Sequence, residues 1–363
     1  NNSNYPTTIR SSEIIGNAIY NNKHAHYFED ADLSNTGNTY NGNVTYNNLG
    51  SGSFNISAGS TNVYNGNVTV FGNGTPNIVI NNAILSALSG SDLDMNGNIF
   101  KNVTLNSPEV RLLSDASISQ LLTFQSGKIV SSVPNGNEKV IFLNNAIHSG
   151  ASSSSFADVT VQKDGDDVFT FPVGADTIYA PVQLSPAPAV GSSFSVRYFI
   201  GDPSDAGMDT AQRVGLQRIT GSEYWKVERL AGISTPVFTF SFRDPGIPRK
   251  YITNPYNLSM ARWNGVEWES KGYSDVSGTR SGTVASNNMN DYGFYTFGTL
   301  NVNENPFSLE VFTFYADVDG DGYGDPNSFV ESGEPDVPVG YVVDNTDCDD
   351  TDNTVYPGAP ELC

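Results

Sequence analysis

"NTYNGNVTY" at residues 38–46 returns almost letter for letter as "NVYNGNVTV" at 62–70, an offset of 24 residues. Each copy alternates. Tyr40, Val44 and Tyr46 fall on one face of a strand, and Thr39, Asn41, Asn43 and Thr45 fall on the other, with an Asn-Gly turn between. A repeat in the low twenties of residues, made of short strands and turns, fits one coil of a β-solenoid, in which each coil bonds to the next through parallel strands. Asparagines recurring at the turns are then expected to form ladders of amide hydrogen bonds between coils. A weaker copy, "MNGNIF", is expected at 95–100. Later segments are more apolar, such as "NIVINNAILSAL" and "KVIFLNNAI". The solenoid is therefore expected over 1–154.

Downstream the pattern changes. Over 155–302 the strands are longer and richer in aromatic residues, as in "DVFTFPVG", "SFSVRYFI", "EYWKVERL" and "GFYTFGTL", and turn signals separate them. That is the pattern of an antiparallel β-sandwich. "KDGDD" at 163–167 and "WNGVEW" at 263–268 read as hairpin turns. Trp225, Trp263 and Trp268 all lie here, which places the best-packed core in this domain. The Ser-rich "SGASSSSF" at 149–156 reads as a linker or loop, with His148 beside it facing solvent. "NVNENP" at 301–306 reads as a second linker. The fold class is all-β, a parallel β-solenoid (β-helix) followed by an antiparallel β-sandwich and a loop-rich acidic module at 303–363.

Charge is uneven along the 363 residues. The chain carries 39 Asp or Glu against 18 Lys or Arg, a net of −21. From Phe307 to Cys363 there are 14 acidic residues and no basic one, so two thirds of the excess charge sits in the last sixth of the chain. Such a segment repels nucleic acid and anionic membrane, so neither is expected as a partner. No run of 18 apolar residues is present to span a bilayer. Crowded carboxylates call instead for divalent cations.

"DVDGDGYGD" at 317–325 supplies the pattern for one. Calcium takes six to eight oxygens from a flexible loop. Here Asp317, Asp319 and Asp321 offer side chains at positions 1, 3 and 5, Tyr323 offers its carbonyl, and Asp325 offers a further oxygen. Gly322 sits at the sharp turn, and Gly320 and Gly324 relax the loop. Position 12 is Ser328 in place of the EF-hand glutamate, so the missing oxygens are expected from "DNTDCDDTD". Asp344, Asp347, Asp349, Asp350 and Asp352 complete this site or form a second one. Zinc lacks its usual His or thiolate ligands here, and magnesium prefers fewer protein ligands. The only two cysteines, Cys348 and Cys363, both fall in this core-poor module and are expected to pair as a disulfide in an oxidising compartment.

Catalysis finds little support. Residues 1–150 hold nine acidic residues, and none lies between 38 and 90, whereas a catalytic face on a solenoid spans consecutive coils. "HAH" at 24–26, with Glu29, Asp30 and Asp32 nearby, is a weaker zinc candidate. Asp202, Asp205 and Asp209 lack the D-x-D-x-D-G spacing and read as a polar loop. The chain is not expected to be an enzyme.

Two stretches resemble known families. "FTFPVGADTIYAPVQLSP" at 169–186, "GSEYWKVERLAG" at 221–232 and "MARWNGVEWESKG" at 260–272 resemble a β-sandwich common in secreted surface proteins of Bacteroidota, many of which are type IX secretion substrates. "FYADVDGDGYGDP" at 314–326 and "GYVVDNTDCDDTDNTVYPGAPELC" at 340–363 resemble a thrombospondin type 3-like, Asp-rich calcium-binding repeat. In such modules more Asp and Cys typically follow, and the chain is expected to be part of a longer protein. The resemblances imply an extracellular or bacterial cell-surface adhesin, stalk or filament segment that binds calcium. Its expected partners are other copies of itself or surface glycans and proteins, contacted by exposed Asn, Thr and Tyr. The alternative expectation is a carbohydrate-active β-helix enzyme or glycan-binding module, which would show a groove with clustered carboxylates.

Overall fold

The structure is a computed structural model that describes residues 7–9, 12–22, 28–30, 37–49, 54–57, 60–72, 78–134, 136–185, 189–242, 255–278, 281–300, 312–332 and 337–359. It is all-β, with a solenoid of about five turns followed by antiparallel sheets. No described helix is long and apolar enough to cross a membrane.

Each solenoid coil presents three short strands that pair in parallel with the same strands of the next coil. The repeat sets the register. Val44 pairs with Val68, Tyr40 with Tyr64 and Ile56 with Ile80. Inward side chains therefore stack in columns. One column runs Ala18, Val44, Val68, Leu93, Leu112, and another Tyr40, Tyr64, Leu85, Leu105, Phe124. All are buried. The alternation read in the repeat holds, and it has a corollary. Tyr40, Tyr46 and Tyr64 lie inside, with Tyr40 stacked on Tyr64 at 5.3 Å, so these tyrosines are closed to any outside partner.

The asparagine ladders are present. Asn17, Asn43 and Asn67 each turn a side-chain oxygen to the backbone N–H one coil on, at 2.9, 3.0 and 2.9 Å, the last donor being Asp92. A second ladder runs through Asn38 and Asn62, at 2.9 and 2.8 Å from the N–H groups of Ser12 and Asn38. A third is made by side chains alone, with Asn65 donating to Asn41 at 2.8 Å and Asn41 to Glu13 at 2.7 Å. The strand pairing also shows a copy of the repeat that the two nonapeptides conceal. "GNAIYNN" at 16–22 occupies the place of "GNVTYNN" at 42–48.

"MNGNIF" is not a further copy in register. Asn41-Gly42 and Asn65-Gly66 precede the strands Val44–Asn48 and Val68–Gly72, whereas Asn96-Gly97 follows the strand Ser91–Asp94, at the next corner of the coil. There it makes a tight turn with positive φ at both residues, 45° and 78°.

Parallel pairing continues past the expected linker at 149–156. The strand Ser155–Asp158 pairs with Gly127–Val130, and Thr160–Asp164 pairs with Lys139–Phe142. On its other edge Thr160–Asp164 pairs antiparallel with Ser193–Ile200. One strand thus closes the solenoid and opens the sandwich, and the sheet continues through Glu223–Ala231, Gly293–Thr299, Leu258–Trp263 and Trp268–Gly272. The second sheet holds Phe169–Phe171, Val182–Ser185, Val237–Phe242, Gly282–Ala285 and Asp275–Gly278. Aromatic rings join the two sheets. Trp225 meets Phe240 at 5.3 Å, and Phe194 meets Phe238 at 5.6 Å.

"WNGVEW" is the expected hairpin, with Trp263 opposite Trp268. "KDGDD" is not. Its strand and the following Phe169–Phe171 lie in different sheets, so the chain crosses between layers there. Lys163 explains the local geometry. It stands next in the buried column Ile56, Ile80, Phe100, Ile118, Phe142 and is 1% exposed. Its ammonium donates to the carbonyls of Leu143 (2.9 Å) and Ala146 (3.2 Å) and to Asp167 (2.8 Å). All three donors of a lysine are thereby satisfied, which is what permits its burial. His148 also departs from expectation. It is half-buried among Phe124, Phe142 and Phe169, with Nε2 2.6 Å from the Thr170 carbonyl.

Candidate metal centre

The acidic module is built on the strand Phe312–Ala316, which pairs antiparallel with Phe329–Ser332 and with Tyr341–Val342. The loop 317–325 leaves the end of the first strand. "DNTDCDDTD" follows the third, so the sheet brings the two acidic stretches side by side. Asp347 N–H donates to the Gly324 carbonyl at 3.2 Å, and Val318 N–H donates to an Asp350 oxygen at 2.7 Å.

Two groups of carboxylates result. Asp317, Asp319 and Asp321 form one, and Asp319, Asp347 and Asp350 form the other, each with its oxygens within 4.8 Å of one another. Asp319 belongs to both. The hydrogen bonding is divided in a telling way. One oxygen each of Asp319, Asp321 and Asp347 accepts a backbone N–H, from Asp321 (3.2 Å), Tyr323 (2.9 Å) and Asp349 (2.9 Å). The other oxygen of each, Oδ2, is buried with no hydrogen-bond partner. Asp347 is only 4% exposed, a charged group almost entirely out of water. Burial raises the Asp319 pKa above the ordinary carboxylate value, and the neighbouring Asp321, Asp347 and Asp350 add to that rise. Buried carboxylate oxygens that face one another without donors are costly unless a cation lies between them. The residues therefore fit a hard cation held by oxygen alone.

The glycines have separate jobs. Gly320 and Gly322 adopt positive φ, 81° and 95°. Gly324 is required by space, since a Cβ there would lie 2.7 Å from the Tyr315 Cβ and 2.9 Å from the Asp344 carbonyl oxygen.

Of the ten residues expected at the site, five carboxylates come together: Asp317, Asp319, Asp321, Asp347 and Asp350. The other four carboxylates lie outside these two groups and accept local hydrogen bonds. Asp325 accepts from the Asn327 N–H at 2.8 Å and from its side chain at 3.1 Å. Asp344, Asp349 and Asp352 each accept from the threonine two residues on, Thr346, Thr351 and Thr354. The hydroxyl and N–H of Thr354 lower the pKa of Asp352. The Tyr323 ring stacks on Tyr356 at 5.5 Å, tying the two loops together. Cys348 is an exposed free thiol, and its expected partner Cys363 lies outside the described residues. "HAH" at 24–26 and the linker at 301–306 also lie outside them. In "GDPSDAGMD", Asp202 caps a short 3-10 turn at Ser204 N–H (2.8 Å) and Asp209 accepts from Ala211 N–H (2.8 Å), in keeping with a polar loop.

Comparisons with protein-family models, with curated proteins and with solved structures returned no match for this chain.

Proposed function

We propose that this chain is a structural and adhesive segment of a secreted or cell-surface protein, a stalk, adhesin or filament piece, whose acidic module is made rigid by calcium. The reading is carried by the buried, unpartnered oxygens of Asp319, Asp321 and Asp347. An oxygen-only set drawn from two loops suits calcium over zinc, and its flexible, anionic character suits calcium over magnesium. Binding would draw "DVDGDGYGD" and "DNTDCDDTD" together, so that ordering of the module follows metal occupancy. The solenoid and sandwich, joined through one sheet, supply the stiff body such a role requires. The work is mechanical, and the extracellular, bacterial-surface location is supported by the resemblance of the sandwich and the acidic module to secreted proteins.

The test is calorimetric titration of calcium into chelator-treated protein, with Asp319→Ala/Asp321→Ala as control. Heat in the native chain that is absent from the variant supports the site. No heat in either reduces the loop to a solvated acidic segment.

A second reading, a glycan-binding module, is favoured by one observation. A groove at the junction of solenoid and sandwich is lined by Glu109, Asp158 and Asp176 together with Arg111 and Arg197.

A further inference from the structure

That groove has a volume of about 660 Å³, and no residue of the acidic module lines it. Its size is in the range of small-molecule sites, roughly 300–1,000 Å³. Solenoid residues form one wall, with Glu109, Arg111 and Ser131 to Pro134. The sandwich strand Ser193–Ile200 and the hairpin turn at Asp176 form the other.

Arg197 is the unusual member. It is 9% exposed, yet of its five donors only one finds a protein acceptor, Nη1 bonding the Gly136 carbonyl at 2.9 Å. Its Nε is buried without any hydrogen-bond partner. The carboxylates near enough to act on its charge make no hydrogen bond to it. Glu138 takes the hydroxyls of Ser131 and Ser132, and Asp158 accepts the Asp176 N–H at 3.2 Å. A guanidinium is a planar fork matched to a carboxylate. That of Arg197 lies over the Phe199 ring at 5.4 Å and near the charges of Asp158 and Glu138, but its buried donors without acceptors are costly unless something else takes them.

We propose that this groove binds an acidic saccharide, a uronic acid unit whose carboxylate is taken by Arg197 and whose hydroxyls are taken by Asp158 and Ser132. The chemistry of the lining selects that class. The exposed Glu109 and Asp176 at the rim repel a dianion such as phosphate and accept hydrogen bonds from hydroxyls. A simple aliphatic acid would leave this polar lining unmatched. The site is independent of calcium and of the acidic module.

The experiment is ligand-observed NMR or calorimetry on the full chain at fixed ionic strength, with D-glucuronate, D-glucose and inorganic phosphate as separate probes. Saturable glucuronate binding at least tenfold tighter than glucose or phosphate is expected. It should be unchanged by chelator and in Asp319→Ala/Asp321→Ala, and weakened at least tenfold in Arg197→Lys. If Arg197→Lys does not fold, Asp158→Ala and Ser132→Ala serve, and each should weaken glucuronate severalfold. Equal binding of the three probes, no glucuronate binding, or wild-type affinity in the folded variants overturns the proposal.

Discussion

Gly42 and Gly66 show how a repeat constrains single residues through space. A Cβ at Gly42 would lie 2.6 Å from the Gly16 carbonyl, and one at Gly66 would lie 2.6 Å from the Gly42 oxygen. Gly97 is the opposite case. Nothing stands within 4 Å of a Cβ there, but φ is +78°. Gly66→Ala should therefore destabilise the fold by about 1–3 kcal/mol through a clash with backbone, and Gly97→Ala by about 1 kcal/mol through strain. Denaturant midpoints of the two variants check the order. Asn98 is buried, and its side chain accepts from Ile78 N–H at 2.8 Å and donates to the Met95 carbonyl at 2.7 Å. Asn98→Ala should cost about 1–3 kcal/mol, because the Ile78 N–H is left without an acceptor. His148 supplies a pH dependence. Its Nε2–H donates to Thr170, its Nδ1 is buried without a partner, and burial lowers its pKa below the ordinary 6.5. The unfolded chain then takes up the proton first, so the stability this residue contributes is full above about pH 6.5 and is lost as pH falls below it. The loss is about 1.4 kcal/mol per unit of depression. Lys163 lies over the same Phe169 ring at 5.5 Å. Thermal melts between pH 5 and 7 should show a shallower slope in His148→Phe than in the native chain.

At the scale of elements, the acidic module tests a reversal of sign. Asp347→Asn removes a buried charge from a crowded cluster. In chelator it should raise the module's stability by about 1–3 kcal/mol, and in saturating calcium it should lower it, since a ligand charge is gone. Hydrogen exchange of the strand Phe312–Ala316 in both conditions is the readout, and an effect of the same sign in both would sink the metal reading. The loop 317–321 was legible because D-x-D-x-D-G fixes which side chains converge. The second stretch was not, since five aspartates in nine residues look equivalent. The distinguishing signal is a threonine at i+2. Asp344, Asp349 and Asp352 have one and turn back onto it. Asp347 and Asp350 are followed at i+2 by another aspartate and converge with Asp319. Among strands, the two nonapeptides gave the coil and its register. The copy at 16–22 was hidden because its offset is 26 residues, with Ala18 and Ile19 in place of Val44 and Thr45. Asn-Gly at 96–97 misled because the same dipeptide serves two different corners. Asp-Gly at 164–165 misled because a turn signal does not say whether the next strand joins the same sheet.

For the whole molecule, the shared strand Thr160–Asp164 makes solenoid and sandwich one cooperative body. Lys163 at the end of the solenoid's column and Trp225 in the sandwich core are both buried, in layers joined by continuous pairing. Trp225→Ala removes a large buried ring, at about 3–5 kcal/mol. It should lower the melting of solenoid and sandwich together in a single calorimetric transition. Two separate transitions, with only one shifted, would show that the ladder does not couple them. Lysine at an inward position was not readable in advance, because its acceptors, the carbonyls of Leu143 and Ala146 and the carboxylate of Asp167, become neighbours only once the coil has closed.

The same strand decides how the body bears load. A joint between two domains is usually the compliant part of a chain, where a pull is first dissipated as bending. Here the joint consists of ladder hydrogen bonds on both edges of one strand, the same bonds that hold coil to coil. Tension and torsion entering at the sandwich pass into the coils without meeting a hinge. The first element to yield under force would therefore be found elsewhere along the chain.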